Sequence, residues 1–184
     1  MAPKELVLAG TSSDDRLFAD RHRYDQTYYR YLKGGFGNDL LFGNIGIVRL
    51  EGGSGADRFL LASRPGGSIT TDFVVITDFD VNSGDSISLA PGLLENQVEV
   101  LPVTNADLTL LNNSFDPLRT PVDLGDSYIR VKQTGEVLAV VKKAIASSIN
   151  ISEAPVLTSA EMRVLPASAG GRLAFRTLIQ IIHI

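Results

Sequence analysis

Large apolar residues recur every nine positions in the stretch from residue 34 to residue 60. Leu41, Leu50 and Phe59 follow this period, and each of them comes after a run rich in glycine and small or polar residues. Short apolar stretches between glycine-rich turns are typical of β-strands, and a fixed period is the signature of a repeat architecture. The pattern predicts a small repetitive β-structure whose core receives one apolar side chain from each repeat.

The polar positions of this stretch repeat with the same period. Residues 34–42 and 52–60 match the pattern G-G-x-G-x-D-x-U-x, where U is a large apolar residue, at every specified position. The middle nonapeptide, 43–51, keeps Leu50 but has Asn44 in place of the second glycine and Val48 in place of the aspartate. The stretch therefore contains two intact repeats around a degenerate one.

The residue types of the intact repeats suit a hard cation. Glycine allows positive φ and lets backbone carbonyls turn inward, because no Cβ blocks them. Calcium takes six to eight oxygens and accepts carbonyls and carboxylates together. The other interpretation is a glycine-rich loop with two incidental aspartates. We predict calcium as the cofactor, with these metal-binding residues: Gly35, Gly37, Asp39, Gly53, Gly55 and Asp57.

These nonapeptides resemble the calcium-binding repeat of the RTX proteins, a family of secreted bacterial toxins, proteases and lipases. The resemblance implies a parallel β-roll in which two nonapeptides form one turn, so that residues 18 apart stack. Asp39 and Asp57 would then lie on one edge with a cation between them. Leu41 and Phe59 would point into the roll, with Leu50 facing them from the opposite sheet. At the other edge Val48 offers no carboxylate, and we expect no calcium there.

The region before the intact repeats looks like a degenerate continuation. Residues 10–18 place Asp15 at the aspartate position, which predicts either a second cation site or a polar turn before a strand. Residues 19–33 break the phase and are rich in tyrosine and arginine. This insertion suits either a nucleic-acid or carbohydrate platform or, as we prefer, a cover for the open end of the roll.

The segment after the repeats predicts two strands, 73–77 and 86–89, around a turn. It resembles the segment that closes the β-roll in RTX proteins. Its oxygen-bearing residues are spaced like those of a calcium loop, but Ser83 and Leu89 stand where an EF-hand needs glycine and glutamate. Turn chemistry is the alternative to a second cation. The weaker metal candidates are Asp15, Asp78, Asp80 and Asp85.

The rest of the chain predicts further β-structure. Residues 93–111 are typical of strands and loops, 112–123 of a loop, and 126–143 of a hairpin. The hairpin is similar to a phrase found downstream of RTX repeats, which implies an antiparallel β-sandwich-like cap. We predict an all-β fold: a short parallel β-roll (1–69, with the insertion at 19–33), a cap continuous with it (70–158), and a tail (159–184).

Composition narrows the classes of function. The net charge is −4, and the stretch 70–126 has ten acidic residues against one base, Arg119, which disfavours nucleic-acid binding. The absence of cysteine excludes disulfides and thiol catalysis. No apolar run is long enough to span a membrane, and the first ten residues lack the core of a cleavable signal peptide. Oligomeric state is not predicted.

The family resemblance implies secretion by the type I machinery, which reads an uncleaved C-terminal signal. The apolar end of the tail suits such a signal, or an edge strand. No zinc-protease, lipase or nucleotide-binding motif occurs, so we expect no enzyme. The predicted function is a calcium-binding structural module of an extracellular protein. The alternatives are an adhesin or matrix-interaction domain that uses the Tyr/Arg insertion or the acidic face, and a degenerate hydrolase-associated domain.

Overall fold

In a computed structural model of the protein, two β-sheets stack face to face. The structure describes residues 6–19, 29–43, 49–63, 73–112 and 120–153. The seven-stranded sheet has the strand order β1-β3-β5-β7-β11-β10-β9, and the five-stranded sheet has the order β12-β8-β6-β4-β2. Successive strands alternate between the two sheets through β8, which is the winding of a parallel β-roll. None of the described helices has the length and apolar character needed to cross a membrane.

The strands are short, as a nine-residue repeat requires. Those of the seven-stranded sheet are β1 (Leu6–Ala9), β3 (Tyr29–Phe36), β5 (Arg49–Ser54), β7 (Val74–Ile76), β9 (Val98–Pro102), β10 (Ser127–Val131) and β11 (Val137–Val141). Those of the five-stranded sheet are β2 (Arg16–Ala19), β4 (Leu40–Gly43), β6 (Arg58–Leu61), β8 (Ser86–Leu89) and β12 (Ile151–Glu153). The predicted all-β class and parallel roll are confirmed.

The strand register confirms the 18-residue turn. Leu41 of β4 pairs with Phe59 of β6, and Leu32 of β3 pairs with Leu50 of β5. One turn earlier the offset is 24, since Leu17 of β2 pairs with Leu41. The six extra residues belong to the connection between β2 and β3. Residues 10–18 are therefore part of a true turn of the roll despite their degenerate sequence.

The interior between the sheets holds the side chains that the nine-residue period predicts. Leu41, Leu50 and Phe59 are all fully buried in one apolar cluster. Side chains alternate between the two faces of a strand, so their sequence neighbours face outward. Ile87 and Ile76 extend the same core from β8 and β7. Burial of this continuous apolar surface is the main source of stability.

Beyond the repeats, β7 and β8 continue both sheets as a fourth turn. β7 pairs in parallel with β5, and β8 pairs in parallel with β6. The predicted strands at 73–77 and 86–89 are thus confirmed. Antiparallel pairing begins with the hairpin of β10 and β11, at the position predicted from 126–143, and β9 pairs with β10. The antiparallel part of the cap extends the seven-stranded sheet, and β12 adds a strand to the five-stranded sheet beside β8.

One prediction for the cap was wrong. Residues 93–111 include the helix α1 (Asn105–Leu111), where we expected only strands and loops. The signal was present in the sequence, because Thr104 and Asp107 have the spacing of a capping box. The Asp107 carboxylate accepts hydrogen bonds from the Thr104 amide (2.9 Å) and hydroxyl (2.6 Å). The helix packs through Leu111 on the outer face of the seven-stranded sheet.

Several predictions lie outside the described residues. They concern Val48, the tail at 159–184 and most of the insertion at 19–33, including Tyr24 and Tyr28. The division of the chain at 69 and 70 stays a prediction. β7 and β8 extend the roll beyond that point, because the same two sheets continue through residue 89.

Candidate metal centre

Four aspartates from successive turns stack along one edge of the roll. Each turn enters the five-stranded sheet through a residue at the aspartate position, and parallel pairing places these residues above one another. The Asp15 amide donates to Oδ1 of Asp39 (2.7 Å), the Asp39 amide to Oδ1 of Asp57 (2.8 Å), and the Asp57 amide to Oδ1 of Asp85 (2.9 Å). One oxygen of each of these acceptor carboxylates thus links neighbouring turns.

The second carboxylate oxygen distinguishes the middle of this ladder from its ends. At one end, Oδ2 of Asp15 accepts from the amide and hydroxyl of Thr11 (2.5 and 2.9 Å). At the other end, Oδ2 of Asp85 accepts from the Asp80 amide (2.9 Å). In the two intact repeats, Oδ2 of Asp39 and Oδ2 of Asp57 are buried and have no hydrogen-bond partner among the residues that the structure describes. A buried polar atom without a hydrogen-bond partner lowers the stability of the fold, so we expect these two oxygens to bind a ligand.

The electrostatics of the ladder support the same conclusion. Burial raises the pKa of Asp57 from 3.8 to about 6, and the charges of Asp85 and Asp39 add to the effect. Burial also raises the pKa of Asp39, with a further contribution from Asp15 and Asp14. Desolvation and like charges both disfavour the ionised form. A cation bound beside these carboxylates would stabilise their ionised form against both desolvation and the repulsion between like charges.

The glycines allow the turns to approach each other closely. Gly53 (φ +101°) and Gly55 (φ +133°) adopt backbone conformations that other residues rarely take. A Cβ on Gly53 would collide with the carbonyl oxygen of Gly35, and a Cβ on Gly55 with that of Gly37. These positions place glycine carbonyls between neighbouring turns at the same edge as the aspartates.

Two further glycines lie against the partnerless oxygens. A Cβ on Gly34 would collide with Oδ2 of Asp39 and with the carbonyl oxygen of Gly52. A Cβ on Gly52 would collide with Oδ2 of Asp57. The first glycine of each intact repeat therefore keeps a space open beside the free carboxylate oxygen. From the sequence we assigned ligand roles to the second and third glycines and overlooked this role of the first.

The donor set fits calcium. It consists of oxygens alone: the two carboxylates, and the Gly52 carbonyl, which approaches the same point beside Gly34 as Oδ2 of Asp39. Carboxylate and carbonyl oxygens are the ligand type that calcium prefers. Among the residues that the structure describes, no group of three or more acidic or histidine side chains is placed to hold a metal. Backbone carbonyls would thus have to supply most of the coordination. That requirement explains why the repeat pattern specifies its glycines as strictly as its aspartate.

The weaker metal candidates have other partners in this structure. The Asp78 carboxylate accepts from the amides of Gly52 (2.9 Å) and Gly53 (2.8 Å), and so closes the last glycine turn. Asp80 accepts from the Asn82 amide (2.9 Å) and the Ser83 hydroxyl (3.0 Å). This is turn chemistry of the kind we gave as the alternative. A cation at Asp15, Asp78, Asp80 or Asp85 stays a prediction without a free buried oxygen to support it.

A second ladder, which we did not expect from the sequence, runs beside the first at the preceding position of the repeat. The Asn38 amide donates to Oδ1 of Asp14, and the Ala56 amide donates to Oδ1 of Asn38, each over 2.8 Å. Position five of the nonapeptide is unspecified in the repeat pattern, so the pattern offered no signal. Asn or Asp at that position would have been the clue, since a short side-chain acceptor is needed there.

Tyr31, the one tyrosine of the insertion whose side chain the structure describes, does not cover an open end. Tyr31 lies on the outer face of the seven-stranded sheet, because its neighbour Leu32 is fully buried inside. The Arg49 guanidinium stacks 3.7 Å from the centre of its ring, and its hydroxyl donates to Glu51. Lys33 forms an ion pair with Glu51 over 2.9 Å. These side chains pair with each other across two strands.

Part of the chain matches a known repeat family. The family model of the RTX calcium-binding nonapeptide repeat (4 copies) matches residues 33–62. No curated protein matches the chain. Among solved structures, the AlgE6R3 subunit of the Azotobacter vinelandii mannuronan C5-epimerase is similar, with 20% identity and a TM-score of 0.43 over 90% of this chain and 83% of that one. The AlgE6R2 subunit of the same epimerase matches with 20% identity and a TM-score of 0.29, over 84% and 97%.

The family match covers both intact nonapeptides and the degenerate one between them. It coincides with the turns that stack 18 residues apart and that hold both partnerless carboxylate oxygens. Repeats of this family are calcium-binding structural units. Residues 33–62 thus carry this chain's match to the RTX calcium-binding nonapeptide repeat.

Proposed function

We propose that this chain is a calcium-stabilised structural module of a secreted protein, and that Asp39 and Asp57 hold the calcium. The observation that carries the proposal is the pair of buried, partnerless Oδ2 atoms in the two intact repeats. Carbonyls of the adjoining turns, including those of Gly35 and Gly37, complete the oxygen set. A bound calcium ion supplies positive charge at an edge that otherwise concentrates negative charge.

Calcium binding would be coupled to folding. The ligands come from turns that are 18 residues apart in sequence, and they meet only when the roll has formed. A ligand that binds the folded state alone stabilises it by mass action. Calcium sites in extracellular modules typically have dissociation constants of about 10⁻⁴–10⁻³ M. The roll would therefore be weakened where calcium is scarce and stabilised outside the cell.

Secretion follows from this coupling as a further part of the proposal. RTX repeats are typical of extracellular proteins. A chain that stays loosely folded in calcium-poor cytoplasm can pass through the type I secretion machinery and then fold in the presence of calcium. The module itself would perform no chemistry. The adhesin alternative gains little from Tyr31, because Arg49 already occupies the face of its ring.

A melting experiment tests the calcium proposal. Far-UV circular dichroism would be followed during heating in EDTA, in about 5 mM calcium and in about 5 mM magnesium. This concentration exceeds the weakest dissociation constant expected for calcium, about 10⁻³ M. We expect calcium to raise the melting temperature, and magnesium to do so much less because it demands a stricter octahedral site. Equal melting temperatures in EDTA and calcium would reject the proposal.

A further inference from the structure

The carboxylate of Asp78 binds two successive backbone amides of the second intact repeat. Its Oδ1 accepts from the Gly52 amide (2.9 Å), and its Oδ2 accepts from the Gly53 amide (2.8 Å). Hydrogen bonds to a carboxylate are stronger than those between neutral groups. Asp78 comes from the segment after β7, 26 residues beyond Gly52 in the sequence, so this contact ties the glycine turn to a part of the chain outside the repeats.

Asp78 lies at the point where strand pairing stops on one side of β5. The pairing of β5 with β3 continues to Ser54, which lies beside Phe36. Its pairing with β7 ends at Leu50, which lies beside Ile76. Among the residues that the structure describes, the glycine turn at the end of β5 thus has a paired strand on one edge only. The Asp78 side chain supplies hydrogen-bond acceptors on the other edge, in place of a strand.

The peptide that Asp78 holds carries a carbonyl oxygen of the candidate calcium site. The described part of the chain has no cis peptide bond, and the N–H and C=O of a trans peptide lie in one plane and point in opposite directions. The Gly53 amide points at Asp78, so the Gly52 carbonyl points away from it. On that side the Gly52 oxygen and Oδ2 of Asp39 lie beside the same point, since a Cβ on Gly34 would collide with both.

The direction of this peptide depends on its outside contacts, because it joins two glycines. Glycine permits a wide range of backbone angles, and Gly53 itself has φ +101°. No Cβ on either side restricts rotation of the peptide plane. The two hydrogen bonds to Asp78 therefore do what side chains do elsewhere in a backbone, and they keep the Gly52 carbonyl beside Oδ2 of Asp39.

We propose that Asp78 is a positioning residue for calcium, which holds the Gly52 carbonyl beside Oδ2 of Asp39 and does not bind the ion itself. This inference rests on the proposed calcium function. Each oxygen of the Asp78 carboxylate already accepts from an amide, whereas Oδ2 of Asp39 accepts from none of the described donors. Replacement of a residue that orients a metal ligand typically lowers metal affinity by about 10–100-fold.

An NMR titration of the full-length chain with calcium tests the proposal. Asp78→Ala removes the acceptors of the Gly52 and Gly53 amides. Asp14→Ala is the matched control, because the exposed Asp14 also accepts a backbone amide from a neighbouring turn, that of Asn38. We expect Asp78→Ala to weaken calcium binding by about tenfold or more. Asp14→Ala should leave it nearly unchanged at about 0.15 M salt, which screens exposed charges.

Three results would overturn the positioning role. The first is equal calcium affinity in Asp78→Ala and the original chain. The second is an equal loss of affinity in Asp14→Ala, which would show that negative charge alone attracts the ion. The third is a shift of the Asp78 carboxyl carbon signal on calcium addition that exceeds the shift of the Gly52 carbonyl carbon, which would show that Asp78 binds the ion itself.

A measurement in EDTA distinguishes failure of this inference from failure of the proposed function. Hydrogen exchange of the Gly53 amide should be faster in Asp78→Ala than in the original chain, whether or not calcium binds, because its hydrogen bond is lost. If the original chain binds no calcium, the proposed function is wrong and the positioning role with it, even where this difference in exchange is present. If circular dichroism shows Asp78→Ala to be unfolded, Asp78→Asn replaces it, with a loss of affinity expected in the same direction, since it keeps one acceptor oxygen.

Discussion

The backbone amide of Asp39 donates a hydrogen bond to Oδ1 of Asp57 over 2.8 Å, across one full turn of the roll. This bond holds the two carboxylates of the intact repeats at a fixed spacing and leaves Oδ2 of each buried without a partner. Linking the turns and offering a free oxygen are thus two roles of the same side chain. A substitution can therefore remove the free oxygen while it keeps the hydrogen bond between the turns.

Asparagine at position 57 should keep the link and remove the charge. In Asp57→Asn the amide oxygen can still accept from the Asp39 amide, while the amide nitrogen replaces the free oxygen. We expect the variant to be at least as stable as the original chain in EDTA near pH 7, because a desolvated charge is gone. Calcium should no longer raise its melting temperature.

The control for this substitution is Glu153→Gln, which removes one negative charge from an exposed position on β12. It should leave the calcium response unchanged. Asp39→Asn should resemble Asp57→Asn, since the same oxygen is partnerless there. A full calcium response in D39N/D57N would show that the ion binds elsewhere.

The stability of the calcium-free protein should fall as pH rises from about 4 to about 6. The fold raises the pKa of Asp57 from its ordinary value of 3.8 to about 6, so the folded state binds more protons than the unfolded state in this interval. Stability then decreases with rising pH, and the contribution from protonation is complete only below the unfolded pKa. Urea unfolding in EDTA at several pH values measures this slope.

Asp57→Asn should make that slope shallower, since one titrating group is absent, while Asp39, whose pKa burial also raises, keeps its contribution. In the presence of calcium, the original chain should instead gain stability between pH 5 and pH 7, because protons and calcium compete for the same oxygen. A calcium effect of equal size at pH 4.5 and pH 7 would contradict the assignment of Asp57.

Substitution of Gly55 should destabilise the roll more than substitution of another glycine with positive φ. Gly55→Ala forces a Cβ against the Gly37 carbonyl, in addition to the backbone strain of roughly 1–3 kcal/mol. Gly92→Ala is the matched control, because Gly92 has φ +97° and no atom near the added Cβ. Free energies of unfolding from urea titration measure both, and equal losses would argue against close contact between the turns.

The roll's interior should be far more sensitive than its surface to loss of an aromatic ring. Phe59 is fully buried between the sheets, whereas Phe36 is 67% exposed. We expect Phe59→Ala to lower the free energy of unfolding by about 3–5 kcal/mol. Phe36→Ala should change it by less than about 0.5 kcal/mol. Both free energies of unfolding should be measured in EDTA, so that bound calcium does not mask the difference. Equal losses of stability in the two variants would show that Phe59 is not part of the core.

The repeat period, together with the resemblance to RTX repeats, predicted the central part of the fold. The resemblance implies that two nonapeptides close one turn, and with the nine-residue period this paired Leu41 with Phe59 and Asp39 with Asp57. The pattern was also strong enough to place Asp15 in register, although the glycines around it are replaced. A local period determines a solenoid well, because each turn packs only on its neighbours.

Other features depended on contacts between distant segments. The sequence alone allowed metal ligation by both Asp57 and Asp85, and only the tertiary structure separated them. The Asp80 amide reaches Oδ2 of Asp85, whereas no described donor reaches Oδ2 of Asp57. The spacing of Thr104 and Asp107 signalled a helix start, but the helix gains its stability by packing on the seven-stranded sheet. The spacing of the glycines and the positions of the aspartates can be read from the sequence. Which buried carboxylate oxygen lacks a hydrogen-bond partner depends on how neighbouring turns pack against each other.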